Sequence, residues 1–310
     1  MSINLVLCGD RRILWGLAVT VRSALEHSSK PVNIHVLCAG FSKADKQKLS
    51  ASWDHDKCGA IDFKDIATER ISRFRSTRYM RSKSTYSRFF IGEFYPDLLR
   101  SIYVDTDFLI CRDLAPVSEL DLRGRIAAVV RDISVREQPV CPELKARLNL
   151  TNEMNYFNGG FLVIDLQQWR EAGIQEKLVT ISIEKFDQLH SQDQDALNIV
   201  LENKVLFLDP TWNTSQYERP DSLKGNMVHL IGKIKPWHAR YKKKLSDRYF
   251  REVIYRAFYD FLDRTAYKGS RPWDPAGLGT LVEHAGANIP TLDMVQGKIR
   301  RVMEQVRDHR

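Results

Sequence analysis

The order of apolar segments is the feature of this sequence that most restricts its fold. Near the N-terminus "INLVLCG" has the composition of a buried strand, and "GLAVTVRSALEHS" follows with apolar residues at helical spacing. The alternation continues with "VNIHVLCAG" (strand), "SKADKQKLSASW" (helix), "AIDF" (strand), "STYSRFFIGEFY" (a helix that Ser84 would cap) and "RSIYVDTD" (strand). Strands that alternate with helices of about ten residues predict an α/β fold with a mostly parallel central sheet.

Two aspartates lie at the end of the fourth predicted strand. In "SIYVDTDFLICRDL", Asp105 and Asp107 separate two apolar runs, although an ionised carboxylate is rarely buried without a partner. Ligands of such sheets collect at the carboxyl ends of the strands. Side chains at i and i+2 of an extended segment point the same way, so both carboxylates can reach one divalent cation. A structural alternative is that Asp107 caps a turn and Asp105 pairs with an arginine, and a lone D-x-D motif leaves both open.

Composition narrows the class of protein. The chain has 310 residues, of which 43% are apolar, enough for one large α/β domain or two small ones. Its apolar runs are much shorter than the ~20 residues of a membrane span, and its start does not resemble a signal peptide. The cysteines are odd in number and lack metal-ligand spacing: Cys8, Cys38, Cys58, Cys111 and Cys141. They predict free thiols in a reducing compartment, and therefore a soluble cytoplasmic protein.

The net charge of +8 predicts an anionic partner such as nucleic acid, acidic lipid or a phosphorylated substrate. The segment 70–92 contains no acidic residue and seven basic ones: Arg70, Arg73, Arg75, Arg78, Arg81, Lys83 and Arg88. A second basic segment, 233–268, is interleaved with aromatic residues. Near the end, apolar residues follow helical spacing: Leu292, Val295, Ile299, Val302 and Val306. This tail is predicted to be a basic amphipathic helix that either packs on the domain or lies on an anionic membrane.

Further motifs accompany the two aspartates. In chain order they are "TYSRFFIGEFYP", "YVDTDFLICRDL", "YFNGGFLVIDLQQWR", "DQDALNIVL", "WN" at 212–213 and "HLIGKIKPW". From about residue 3 to 245 the chain thereby resembles the family 8 retaining glycosyltransferases, which include galactosyl- and glucosyltransferases of bacterial lipooligosaccharide assembly and the eukaryotic glycogenin. The resemblance implies a single GT-A-like, Rossmann-type catalytic domain over 1–245 that binds a nucleotide sugar. It leaves 246–310 as a helical basic C-terminal region for membrane or acceptor association.

The same resemblance implies an activity and its residues. A hexose, galactose or glucose, would pass from a UDP-sugar to a glycan acceptor with the help of Mn²⁺ or Mg²⁺, on the inner face of the membrane. The implied metal ligands are Asp105, Asp107 and His229. The implied donor contacts are Cys8, Asp10, Arg88, Asp105, Thr106, Asn158, Gly159, Asp193, Gly232 and Lys235. Gln194 and Asp193 are implied in catalysis, and Asp132 on the acceptor side.

Physical reasoning supports several of these assignments. Imidazole suits Mn²⁺ as a third ligand, a lysine can face a diphosphate as a point charge, and glycine permits close approach of the backbone to a ligand. The sequence departs from the family at Arg12, where Asn is frequent, and mildly at Gly160, where Ala is frequent. Because Gln194 is an amide and a poor nucleophile, attack on the face of the leaving group is the predicted route to retention.

Three other functions remain compatible with parts of the sequence. A nucleic-acid-binding protein would use the basic and aromatic surface but would not need the acidic motifs. A nucleotidyltransferase would use the D-x-D chemistry with a nucleoside triphosphate. A catalytically silent relative would retain the fold and lose turnover, as the substitution at Arg12 suggests.

Overall fold

A mixed seven-stranded sheet forms the centre of the protein in the computed structural model, which describes residues 2–76, 82–136 and 142–272. The strands of the described residues are β1 (Ile3–Asp10), β2 (Val32–Ala39), β3 (Cys58–Asp65), β4 (Arg100–Val104), β5 (Phe108–Ile110), β6 (Ala127–Arg131), β7 (Phe157–Asp165), β8 (Val205–Phe207), β9 (Thr214–Ser215) and β10 (Met227–His229). The large sheet has the order β3-β2-β1-β4-β7-β6-β8. Its inner strands are buried, near-continuous apolar runs because helices cover both faces, whereas the edge strands β3 and β8 are only partly buried.

The direction of the strands is mostly parallel, as predicted. Strand β1 pairs in parallel with β2 and β4, β2 with β3, and β6 with β8. Strand β7 runs antiparallel to β4 and to β6. The start of β7 therefore lies at the same sheet edge as the end of β4, which brings its first residues to the D-x-D motif.

A second sheet of three short strands, β5-β10-β9, adjoins this edge. Strand β10 is antiparallel to β5, with His229 opposite Phe108 in the register. Since Phe108 directly follows the D-x-D motif, this pairing fixes a histidine beside the aspartates although more than a hundred residues separate them in sequence.

Helices pack on both faces of the large sheet. They are α1 (Leu14–His27), α2 (Lys43–Ser52), α3 (Thr68–Ser72), α4 (Ile91–Phe94), α5 (Ala115–Ser118), α6 (Ile133–Arg136), α7 (Pro142–Leu148), α8 (Leu166–Glu171), α9 (Ile174–Glu184), α10 (Asp193–Val200) and α11 (Arg256–Leu262). Helix α1 is buried in one apolar cluster, and helices α8 to α10 contribute to the other. The α/β fold predicted from the alternation is confirmed.

One detail of the prediction was wrong. The segment "STYSRFFIGEFY" forms a 3₁₀ helix, Ser84–Phe90, that continues into α4, and the side chain of Ser84 does not cap it. The Ser84 hydroxyl instead donates to Asp10 Oδ2 at 3.1 Å. A capping serine accepts a hydrogen bond from a backbone N–H, whereas this hydroxyl is a donor to the carboxylate of Asp10, and nothing in the local sequence indicates that the carboxylate is close.

Beyond residue 245 the described chain is helical and packed. Residues Phe250–Tyr255 form a π-helical turn that continues into α11. Phe258 and its apolar neighbours join the core around α1, and Arg264 Nε lies 2.8 Å from Glu26 Oε1. Whether 246–310 forms a separate functional region stays a prediction. The amphipathic helix predicted over 292–306 lies outside the described residues, as do Arg78, Arg81 and Cys141. Among the described helices, none has both the length and the apolar character to cross a bilayer.

Candidate active site

The D-x-D motif is held at its position by backbone hydrogen bonds on both sides. The amide of Asp105 donates to the carbonyl of Gly160 in β7 at 2.8 Å, and the carbonyl of Asp107 accepts from Leu230, just after β10, at 2.8 Å. The turn between β4 and β5 is thus anchored to both sheets. Both carboxylates face the imidazole of His229.

Three ligand atoms come together here. His229 Nε2 lies 3.2 Å from Asp107 Oδ1 and 3.8 Å from Asp105 Oδ2, and one ligand atom from each residue lies within 4.8 Å of the others. The second carboxylate oxygens are engaged elsewhere, since Asp105 Oδ1 accepts from Arg88 and Asp107 Oδ2 accepts from Lys235. Two carboxylate oxygens and one imidazole nitrogen suit Mn²⁺ or Mg²⁺. The residues present therefore fit a divalent cation.

The charge state of Asp107 follows from its partners. Burial opposes its ionisation, but the ammonium of Lys235 and the imidazole of His229 outweigh that effect and hold the pKa of the carboxyl below its ordinary value. Asp107 is therefore an anion at neutral pH, as a metal ligand must be.

Arg88 connects this group to a third carboxylate. Its side chain is only 7% exposed, with Nη2 2.8 Å from Asp105 Oδ1 and Nε 3.0 Å from Asp193 Oδ2. Burial works against its charge, yet the two carboxylates raise the pKa of the guanidinium further above its ordinary value. Burial conversely raises the pKa of Asp193, against the attraction of Arg88. Asp193 Oδ1 is buried and has no hydrogen-bond partner among the described residues, so it suits a ligand hydroxyl.

Gln194, Asn158 and Asp132 form a hydrogen-bonded cluster beside Asp193. Gln194 Oε1 accepts from the amide of Gly159 at 3.0 Å and from Asn158 Nδ2 at 3.2 Å. Asp132 Oδ2 accepts from Asn158 Nδ2 at 2.9 Å and from Gln194 Nε2 at 3.3 Å. The oxygen of the Gln194 amide is therefore occupied as an acceptor. This occupation agrees with the view that Gln194 is not a nucleophile.

The predicted uridine end lies at the end of β1. Asp10 and Cys8 line a cavity of about 270 Å³ together with Thr106, Arg88 and Lys235. Asp10 Oδ1 lies 3.0 Å from Arg12 Nε, and Asp10 Oδ2 accepts from Ser82 at 2.7 Å. Burial opposes ionisation of Asp10, but these hydrogen bonds lower its pKa on balance. Arg12, where the sequence departs from the family, is thus the main partner of Asp10.

The glycine at position 232 is explained by its backbone conformation. It lies in the loop between His229 and Lys235 with φ 102°, and a Cβ there would come within 2.9 Å of the Tyr217 hydroxyl. Among the described residues that line the cavity, Gly232 is not included, whereas Lys235 is. The positive φ explains the glycine without a phosphate contact.

Three polar residues near the site were missed by sequence reasoning. The Tyr103 hydroxyl donates to Asp105 Oδ1 at 2.5 Å, and the Thr85 hydroxyl donates to Asp193 Oδ2 at 2.9 Å. Asn213 contacts His229 Nδ1 through its Oδ1 at 3.1 Å. The "WN" dipeptide contains Asn213, and Tyr103 lies two residues before Asp105 on the same strand face, so both positions carried a usable signal.

Comparison with solved structures identifies the fold of this protein. In structure the chain is similar to the galactosyltransferase LgtC in complex with donor and acceptor sugar analogues, with a TM-score of 0.72, 24% identity, and coverage of 90% of this chain and 100% of that one. An active-site mutant of LgtC superposes with a TM-score of 0.73, covering 89% and 99% of the two chains. The GT-A-like fold predicted from the sequence is thereby confirmed.

Sequence comparison gives the family. The family described as glycosyl transferase family 8 matches residues 4–240, so this chain belongs to that family and is a glycosyltransferase. It is 29% identical over 276 residues to general stress protein A of Bacillus subtilis (strain 168), covering 81% of this chain and 93% of that protein. It is also 29% identical over 244 residues to the lipopolysaccharide 1,3-galactosyltransferase of Salmonella typhimurium (strain LT2), covering 74% and 71%.

Proposed function

We propose that this protein transfers a hexose, galactose or glucose, from a UDP-sugar to a glycan acceptor of the cell surface, with a divalent metal ion bound by Asp105, Asp107 and His229. The observation that carries the proposal is the convergence of three ligand atoms beside Lys235 and the buried Arg88. Both cations and both aspartates also line one cavity. The lipopolysaccharide galactosyl- and glucosyltransferases among its relatives support the choice of hexose and acceptor.

The cavity provides groups of the right kind for a nucleotide sugar. A bound divalent cation supplies Lewis-acid stabilisation of the diphosphate leaving group. Lys235 adds a positive charge at the same point and lies beside Asp107. Asp193 offers a buried acceptor oxygen to a sugar hydroxyl, and Arg88 holds that carboxylate in place. Asp10 and Cys8 also line the cavity, and we assign the base and ribose to them.

For the chemical step we propose attack on the same face as the leaving group. The acceptor hydroxyl oxygen forms the new bond to the anomeric carbon as the sugar–phosphate bond breaks, and a phosphate oxygen of the leaving group takes the hydroxyl proton. Asp132 and Gln194, which are hydrogen-bonded to each other, are placed to orient the acceptor. A covalent glycosyl-enzyme trapped on any side chain would contradict this route.

The test is a screen of UDP-, GDP- and ADP-sugars with purified protein and Mn²⁺, with nucleotide release and thermal stabilisation as readouts. We expect release from one UDP-hexose that stops in EDTA. Asp107→Asn should abolish it, whereas Asp121→Asn, the same change at an exposed position, should not. Release that persists in EDTA would refute the metal requirement. Failure of every nucleotide sugar to bind would favour a catalytically silent relative.

Location is part of the proposal. We propose a cytoplasmic enzyme attached to the inner face of the membrane through its basic C-terminal region. Exposed basic residues of Ala239–Ser246, which directly precede that region in the chain, support an anionic partner surface. Sedimentation with vesicles that contain about 30% anionic lipid, compared with neutral vesicles, would test it.

A further inference from the structure

A row of hydrogen bonds, each with a defined donor and acceptor, connects strand β7 to His229. It starts at the amide of Gly160, which donates to Asn158 Oδ1 at 2.9 Å. A backbone N–H can only donate, so the Asn158 atom that faces it is the oxygen. The same oxygen accepts from Asn213 Nδ2 at 2.9 Å. The orientation of the second amide is thereby fixed as well.

The opposite side of Asn158 is consistent with this orientation. Its Nδ2 faces Asp132 Oδ2 at 2.9 Å and Gln194 Oε1 at 3.2 Å. Both are acceptors, and Gln194 Oε1 is itself identified by the amide of Gly159, which donates to it. Reversing Asn158 would place an amide nitrogen against a backbone N–H and an oxygen against a carboxylate.

The row ends at the imidazole. With its nitrogen bound to Asn158, Asn213 presents Oδ1 to His229 Nδ1 at 3.1 Å. An amide oxygen only accepts, so Nδ1 must carry the proton, and in the neutral ring the lone pair belongs to Nε2. Asn213 and His229 are buried, which limits competition by water for these bonds.

We propose that Asn213 is a positioning residue that holds His229 in the Nδ1–H tautomer, so that the Nε2 lone pair points at the metal position between Asp105 and Asp107. The alternative tautomer would let Nε2 donate to Asp107, but Asn213 would then have to turn over. Its oxygen would face Asn158 Oδ1 at 2.9 Å, with two acceptors opposed. This inference rests on the proposed metal-assisted transfer. It adds how His229, the third ligand, is held in the tautomer that can bind the metal ion.

Neighbouring residues hold the plane of the ring. Phe108 stacks on it with ring centroids 4.2 Å apart and an interplanar angle of 20°. Gly160 leaves space at the ring edge, because a Cβ there would lie 2.3 Å from His229 Cε1. The hydrogen bond from His229 Nδ1–H to Asn213 Oδ1 therefore selects the tautomer of a ring whose position is already set. Partners of this kind, one shell outside the metal, typically change metal affinity 10–100-fold when they are removed.

The first measurement is made on the wild-type protein, labelled with ¹⁵N-histidine, in EDTA and about two pH units above the ordinary histidine pKa. Long-range ¹H–¹⁵N correlation reports which ring nitrogen carries a proton, and the His229 signals are assigned by their loss in His229→Gln. We expect a protonated Nδ1. A proton on Nε2 with Nδ1 bare would overturn the proposal.

The second measurement is Mn²⁺ affinity without nucleotide, from free Mn²⁺ measured by electron paramagnetic resonance. We expect Asn213→Ala to weaken binding about 10–100-fold. Asn198 provides the matched control, because it is an equally buried amide that bonds β7 at Phe157, away from the metal ligands. Asn198→Ala should leave the affinity near that of the wild type.

The outcomes separate this inference from the proposed function. If His229→Ala loses Mn²⁺ affinity and Asn213→Ala does not, Asn213 has no positioning role and the metal site stands. If His229→Ala itself binds Mn²⁺ like the wild type, the metal site and the inference both fail.

Discussion

Replacing Gly160 by alanine is the perturbation whose effect follows most directly from the geometry. Gly160 is not among the described glycines with positive φ, so alanine can adopt its backbone conformation. The added Cβ would nevertheless lie 2.3 Å from His229 Cε1 and 2.9 Å from Asn158 Oδ1, where ordinary contact begins at 3.4 Å. The imidazole would have to move by about 1 Å, since the backbone of β7 is held in the sheet.

Two magnitudes follow. Overpacking of this kind costs about 1–3 kcal/mol, so the melting temperature in EDTA should fall by about 3–10 °C. Metal–ligand distances tolerate only about 0.2 Å, so a displacement of about 1 Å removes His229 from the ligand set. Affinity for Mn²⁺ should therefore fall at least 10-fold, which corresponds to ~1.4 kcal/mol.

The assay is thermal unfolding with and without Mn²⁺, together with direct Mn²⁺ binding. Gly159→Ala is the matched control, because its Cβ would meet Arg88 and Leu197 at 3.3 Å and does not approach His229. We expect Mn²⁺ to stabilise the control and to stabilise Gly160→Ala far less. Equal Mn²⁺ affinity in the two variants would refute the argument, and the mild character assigned to this position from sequence would stand.

Three further outcomes are expected. Arg12→Asn should release Asp10 from its main partner and tighten UDP binding up to about 10-fold, measured by calorimetry. Weaker UDP binding in this variant would mean that Arg12 itself contacts the nucleotide. Glu26→Gln should lower the melting temperature by at most about 3 °C at neutral pH, since it breaks the link to Arg264. Burial opposes ionisation of Glu26, but the hydrogen bonds from its arginine partners lower its pKa in the folded state. The stability that Glu26 contributes is therefore present above the unfolded pKa of about 4.3 and is lost as pH falls through the folded value. A difference in melting temperature between wild type and Glu26→Gln that is unchanged at low pH would contradict the assignment. Asp193→Asn should reduce kcat/KM about 10–100-fold and leave Mn²⁺ affinity unchanged.

The sequence predicted the sheet because apolar periodicity is a local signal. Strands β1 to β4 and the helices between them follow from runs of residues close in the chain. The antiparallel direction of β7 was not predicted, since "FLVI" is as buried and as continuous as the parallel strands beside it. The direction of a strand depends on which edge of the sheet the chain reaches first. The composition of a single apolar run contains no information on that path.

The sequence predicted those parts of the site whose residue types have a characteristic chemistry. Paired aspartates, an arginine and a histidine suggest metal and phosphate binding when they occur together with the other motifs. A neutral residue such as Thr85 does not, because a hydroxyl acquires a role only from partners that the fold brings near. The hydroxyl of Thr85 and its acceptor Asp193 are 108 residues apart in sequence. Such pairs require the structure.

The arrangement of charge explains why these separate elements have to meet at one point. Three carboxylates, those of Asp105, Asp107 and Asp193, lie together and are paired with two cations, Arg88 and Lys235. Such a group has a negative excess and would repel a diphosphate, whatever the net charge of the chain. A divalent cation held by Asp105, Asp107 and His229 would reverse the sign locally, and a diphosphate bound beside it would restore the charge balance. The donor and the metal ion should therefore strengthen each other's binding, and by linkage to the same factor in both directions.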